Sequence, residues 1–263
     1  MFGSGYAGLG IYLEQHFTPG GIYYSLDNFQ DWEPGTEPWY TNVSIALAGY
    51  LVETITGIEL EPYCQEHIFT PLGMDNTSFF LANLDPRDIA VPYKWEGGTY
   101  HAYQHYGHPY YPASQVRTSS HQLACFLSTF MKNAQVNKPP YNGGNPGSNF
   151  SGNLMNPNNS SPNFFGYNND PPFIPQMLES ATIEIILTPY FSTYPDTYQG
   201  LVWSLCDYDY LTHPFWGHGG GCLGVRTMMS YAPEKEVGLV LLTNGEGDIV
   251  DIHKAIREYG YEL

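Results

Sequence analysis

Hydrophobic and polar positions fall into a clear rhythm from residue 43 onward. Val43, Ala46, Leu47, Tyr50, Leu51, Thr54 and Ile55 recur at the spacing of one helix face, and Gly57 is a natural stop. A second helix is predicted over 60–69, with Pro62 tolerated in its first turn and Pro71 ending it. A third starts at Ser119 or Ser120, either a suitable N-cap, with Leu123, Phe126, Leu127, Phe130 and Met131 as its buried stripe. Helix returns around 176–187. Residues 1–33 are Gly- and aromatic-rich with little periodicity, and 85–113 hold no clear helix.

The last third changes character. "GLVWSL" (200–205), "GVRTMMSYA" (224–232) and "VGLVLLTN" (237–244) predict strands, the last two joined by a tight connection at "APEKEVG". A closing helix over 249–259 is expected to turn Ile249, Ile252, Ile256 and Tyr259 inward. Helices first and an antiparallel meander last make the fold class α+β. Residues 1–263 are expected to form one domain, with 200–263 its strands and closing helix. Residues 133–172, rich in Asn, Gly and Pro, are expected to be an insertion.

Composition narrows the partners. A net charge of -17 argues against nucleic acid or an anionic membrane. No apolar run approaches the ~20 residues of a membrane span, and residues 1–17 lack the basic start of a signal peptide. Asn-x-Ser/Thr sequons such as Asn42 and Asn76 leave the compartment open. Cys64, Cys125, Cys206 and Cys222 lie far apart and form no metal spacing, so buried free thiols are expected, with a Cys206–Cys222 disulfide as the alternative. His101, His105 and His108 have a helical metal-face spacing, but nearby Gly97, Gly98, Gly107 and Pro109 argue against a helix. No metal or cofactor is expected.

Two stretches carry candidate chemistry. "EPWYTNVSIALAGY" (37–50) puts Tyr40 and Asn42 at the head of a helix. "FWGHGGGCLGVRTMMSYAPEKEVGLVLLTN" (215–244) puts His218 before three glycines and then a strand. Glycines there let backbone approach a ligand closely, and N–H groups beside a cation suit an oxyanion. In order and spacing, together with "EHIFTPLGMDNTSF" and "YPASQVRTSSHQLACFLSTFMKN", the two stretches resemble the serine β-lactamase and penicillin-binding-protein superfamily. They are most similar to its class C-like branch, which includes D-alanyl-D-alanine carboxypeptidases and esterases. The resemblance implies a β-lactamase/transpeptidase-like fold and acyl transfer through an acyl-enzyme. It implies that Tyr40 shuttles the nucleophile's proton, that His218 is the neighbouring cationic group, and that Asn42 bonds the substrate or orients a lysine. Gly219 and Gly220 would let the strand edge lie against a small-molecule acyl or peptide substrate, and the Gly221 N–H would be half of an oxyanion hole. Tyr103 and His105 would border the cleft.

The family's first motif, Ser-x-x-Lys, is absent: no serine in the chain has a lysine three residues on. The nearest imitation, Thr129 to Lys132, follows Tyr40 rather than preceding it, and Ser4 lacks nucleophile-elbow spacing. The resemblance therefore implies an incomplete domain, the C-terminal portion of such an enzyme. The nucleophile would come from a missing N-terminal segment or a partner chain, and the strand at 237–244 would be left with an open edge. Three functions stand side by side: a serine hydrolase acting on an ester, β-lactam or D-amino peptide; a non-catalytic remnant or ligand-binding module that keeps the groove; and a carbohydrate- or peptide-binding surface built from the 23 tyrosines.

Overall fold

The computed structural model describes residues 8–131, 177–194, 197–206 and 214–262. The proposed insertion at 133–172, Ser4, Lys132 and Gln176 lie outside the described residues.

Helix α2 (Asn42–Thr56) begins where its sequence says it should. Thr41 Oγ1 accepts a hydrogen bond from the Val43 N–H at 3.2 Å, a side-chain N-cap. It ends at Gly57, which adopts φ 71° and donates its N–H to the Glu53 carbonyl. The buried face is not the predicted one. Ala46 and Gly49 are buried, with Val43 and Val52 packed beside them, whereas Leu47, Leu51 and Ile55 are exposed. Small residues decide this: Gly49 lies so close to Leu60 and Pro112 that a Cβ there would sit 2.9 Å from a Leu60 methyl. Close approach favours the Ala/Gly side over the bulkier one.

A helix that the periodicity does not reveal, α1 (Leu9–Phe17), packs against α2 through Leu9, Tyr12 and Leu13. Its nine residues give too few repeats to register, and the Tyr50 ring lies against Gly10 within it. α3 (Leu60–Cys64) continues as a wider π-type turn over Gln65–Phe69, together spanning the predicted 60–69. Within 85–113 the structure adds a hairpin, β1 (Tyr93–Glu96) with β2 (Thr99–Ala102), turning on Gly97 and Gly98, both at positive φ. α4 (Ser120–Ser128) starts at its N-cap Ser119, and α5 spans Ser180–Ile186.

The remaining strands are β3 (Phe191–Tyr194), β4 (Thr197–Gln199), β5 (Ser204–Cys206), β6 (Phe215–Cys222), β7 (Val225–Ala232) and β8 (Val237–Thr243). They form one antiparallel six-stranded meander in chain order. The glycines after His218 do not precede a strand; they are the strand, since β6 runs through Gly219, Gly220 and Gly221. β8 pairs with β7 alone among the described strands, so its far edge is open, as expected.

Alternation along β6 and β7 sends neighbours to opposite faces. Trp216 and Tyr231 join Leu127, Phe130 and Trp203 in a core beneath α4. Phe215 and Ser230 face the other way, toward α6 (Val250–Glu262). Here too the inward stripe is displaced. Ile249 is buried, but Ile252, Ile256 and Tyr259 are exposed, and the residues turned to the sheet are His253 and Arg257. The hydrogen bond between His253 and Ser230 and the seating of Arg257 on the Phe215 ring fix that rotation. Helices and an antiparallel sheet confirm the α+β class. No described helix is long and apolar enough to cross a membrane by itself.

Candidate active site

Tyr40 and Asn42 straddle the N-cap of α2, so one residue stands just outside the helix and the other opens it. The Tyr40 hydroxyl donates to Asn42 Oδ1 at 3.1 Å. The Tyr40 ring lies 6.2 Å, centroid to centroid, from the ring of His218 on β6. Residues 178 positions apart in sequence thus meet, and both remain open to solvent on at least one side.

The strand beside them is prepared for a guest. On β6, β5 pairs only with Phe215, Trp216 and Gly217. From His218 to Cys222 that side of β6 has no described strand partner, and the backbone groups of alternate residues face it. The glycines divide by cause. A Cβ on Gly220 would come within 2.3 Å of Thr227 Oγ1 on β7, so the threonine opposite favours glycine there. A Cβ on Gly219 or Gly221 would meet nothing closer than 3.5 Å. Their bareness leaves room over the strand without being required by packing.

Tyr103 and His105 do not line the cavity at Tyr40 and His218. They belong to a segment tied to the far end of β6: the Tyr106 hydroxyl donates to the Leu223 carbonyl at 2.9 Å. Burial and the Cys222 thiol beside it push the Tyr106 phenol up to about 12. Partial burial and the Glu246 carboxylate also raise Tyr103 above the usual phenol range. Arg117 braces the segment by donating to the Tyr106 carbonyl at 2.8 Å.

Around Tyr40 and His218 opens a cavity of about 520 Å³ that also reaches Ser204, Phe215, Lys254 and Arg257. The residues from α6 are ones the sequence reading missed. Their signal was present: His253, Lys254 and Arg257 share one helix in a chain with only nine lysines and arginines. His253 is pushed down to about 4 by burial and then by the Arg257 charge. It is therefore neutral at physiological pH and bonds Ser230 at 2.8 Å.

No serine in these elements has the setting of the absent motif. The Ser204 hydroxyl donates to Gln199 Oε1 at 3.0 Å, and Ser119 caps α4. Thr129, the other imitation, is buried with its hydroxyl bonded to the Phe126 carbonyl. All four cysteines are free thiols, Cys64 and Cys125 buried and Cys206 and Cys222 half-buried. Among the described residues no three His, Cys, Asp or Glu cluster as metal ligands.

Known proteins resemble this chain. A protein of Escherichia coli O157:H7 carrying the designation D-alanyl-D-alanine carboxypeptidase is 32% identical over 93 residues, 35% of this chain and 20% of that protein. A beta-lactamase of Escherichia coli K12 is 22% identical over 242 residues, 81% of this chain and 53% of that protein. Among solved structures, a penicillin-binding protein from Bacillus halodurans superposes with a TM-score of 0.60 at 16% identity, covering 87% of this chain and 58% of that one. The chain thus spans between a fifth and three fifths of the lengths of these relatives. The family model named Beta-lactamase matches residues 24–260, which includes Tyr40, Asn42, His218 and the whole described sheet, and on that match the chain belongs to the Beta-lactamase family.

Proposed function

We propose that Tyr40, Asn42, His218 and the open edge of β6 are one half of an acyl-transfer site of the serine-hydrolase kind. The observation that carries this reading is the Tyr40–Asn42 hydrogen bond set beside the His218 ring, over a strand edge bare at Gly219 and Gly221. The substrate class is an ester, a β-lactam or a D-amino peptide. The designations of the relatives, a D-alanyl-D-alanine carboxypeptidase and a beta-lactamase, support that range.

In this reading a serine hydroxyl attacks the substrate carbonyl and becomes acylated. Its proton passes through the Tyr40 phenol to the departing amine or alkoxide, and water then releases the acid and restores the serine. A phenol has a reference pKa near ~10 and needs a cation nearby to act as base, a part given to His218 and a lysine. Asn42 fixes the phenol and meets the substrate. The Gly221 N–H is one donor to the oxyanion. Tyr103 and His105 border the cleft farther along β6.

The serine and lysine are supplied from outside this chain, by a preceding segment of the polypeptide or a partner chain, and the chain alone does not turn over. The absence of Ser-x-x-Lys also favours a second reading, a non-catalytic ligand-binding module that keeps the groove. Intact mass before and after a fluorophosphonate or penicillin probe separates the possibilities. The chain alone is expected to show no adduct. With the completing segment supplied, an adduct on that segment is expected, and Tyr40→Phe or His218→Ala should slow its formation about 10²-fold or more. An adduct on a serine of this chain would overturn the divided site; no adduct in the completed form would favour the binding module.

A further inference from the structure

We propose that Trp32 and Trp39 form an aromatic corner that binds an organic ammonium group, and that the ligand of the neighbouring site carries one. The second half rests on the acyl-transfer reading above; the affinity of the corner for a cation does not.

A short stretch, "WEPGTEPW" (32–39), builds the corner. Pro34 and Gly35 are the residue types of a type II turn, and Gly35 takes φ 84°. The Thr36 N–H closes that turn by donating to the Glu33 carbonyl at 3.2 Å, and the Thr36 hydroxyl donates to the same oxygen at 2.6 Å. Pro38 then restricts the backbone at itself and at Glu37. The turn brings the two indoles together, with 5.7 Å between ring centroids and 66° between planes. Trp32 is half-buried and backs Trp39, which stays 64% exposed. An indole placed for packing would be covered, since burying a large apolar side chain stabilises a fold by about 2 kcal/mol or more. Trp39 instead offers ring surface to solvent at a fixed angle, one residue before Tyr40, which is also exposed.

Charge selects the guest. Asp31, Glu33 and Glu37 each stand within two residues of one of the indoles, and all three are exposed. No lysine or arginine occurs in the sequence before Arg87, so this stretch brings no cation of its own. An indole face attracts a cation through its quadrupole, more strongly than a phenol or benzene ring does. Two indoles set at a wide angle can flank a compact cation on two sides, as the walls of an aromatic cage do for alkylated ammonium groups. The carboxylates add longer-range attraction for the same sign of charge. They would repel an anion, and a neutral apolar group would gain nothing from them. Trp39 directly precedes Tyr40, with Cα atoms about 3.8 Å apart. An ammonium held in the corner therefore leaves the rest of its molecule beside Tyr40 and the cavity that Tyr40 lines with His218.

The test compares choline with its carbon isostere, in which a tert-butyl group replaces trimethylammonium; the two match in shape and differ in charge. Each is titrated into the whole chain by isothermal calorimetry at low salt. Choline is expected to bind about tenfold more tightly or better. Trp39→Ala should abolish that preference, and Trp39→Phe should keep part of it. A far-UV circular dichroism melt of each variant checks folding. Should Trp39→Ala unfold, Trp39→Phe and Trp32→Phe carry the comparison, and a preference undiminished in both would overturn the proposal. Equal binding of choline and isostere by the native chain, or no binding of choline, would overturn it too. So would a preference surviving folded Trp39→Ala, which would assign the attraction to the net negative charge of the chain alone. Calorimetry reads binding alone, so a chain that prefers choline through Trp39 but never gains a covalent probe keeps the corner and loses the acyl-transfer reading. A completed site that is acylated without that preference does the reverse.

Discussion

Two buried charged residues show how differently the helical half and the sheet's α6 face are finished. Glu61, on α3, is surrounded by donors. Ser78 gives its hydroxyl at 2.5 Å, Phe79 its N–H at 3.0 Å and Asn83 its amide at 3.1 Å. Gln65 adds a fourth bond and ties the same helix to the Thr77 carbonyl. Arg257, also buried, rests on the Phe215 ring, meets Glu258 at 3.4 Å and Tyr261, and keeps an Nε with no acceptor among the described residues. A buried charge with its lone pairs met by several elements ties those elements together, whereas Arg257 is held by stacking and by its own helix. The apolar faces agree: the stripe Ile252, Ile256 and Tyr259 on α6 and the far edge of β8 are uncovered by any described element.

The comparison can be broken most directly at Glu61. Glu61→Ala leaves the Phe79 N–H and the Ser78 and Asn83 side chains without their acceptor and should cost about 3 kcal/mol, read as a lowered urea midpoint at constant slope. A loss below about 1 kcal/mol would remove the contrast with Arg257. The next effect is a pH dependence on the other side. His253 has a folded value of about 4 against 6.5 for the free group. The folded state prefers the neutral ring, so this contribution is complete above pH 6.5 and is lost as pH falls toward 4. By pH 5 the loss should reach about 2 kcal/mol, and the difference in melting between native chain and His253→Gln should vanish correspondingly. An unchanged difference from pH 7.5 to 5 would show that burial does not hold the ring neutral.

The same distinction between a place the fold fills and a place it leaves free recurs within β6. Gly220→Ala drives a methyl into Thr227 Oγ1 and should cost about 2 kcal/mol, mostly restored by adding Thr227→Ala. Gly219→Ala, one residue earlier, meets only ordinary contacts and should change stability by no more than about 0.5 kcal/mol. Equal costs at the two glycines would mean that Gly219 is a packing residue and not open ground for a ligand.

What the sequence by itself determined is what short-range chemistry decides. Thr41 and Gly57 bound α2, Ser119 starts α4, and the Val225–Ala232 and Val237–Thr243 strands follow from their own apolar, β-branched runs. The pairing of Tyr40 with Asn42 was legible for the same reason, since two residues flanking an N-cap must lie side by side. Through the family resemblance, His218 could be assigned to the same site. Tertiary structure decided which way helices turn. Apolar periodicity pointed to Leu47, Leu51 and Ile55 on α2 and to Ile252, Ile256 and Tyr259 on α6. The close approach of Gly49 to Leu60, and the bonding of His253 and Arg257 to the sheet, rotated each helix to another face. Periodicity measures how apolar a face is; burial depends on what stands opposite, and here those partners lie at least eleven residues away in the chain. The cavity is of the same kind: the segment leading into α2, β6 and α6 each bring a charged or polar side chain to it, and only their packing makes those side chains neighbours.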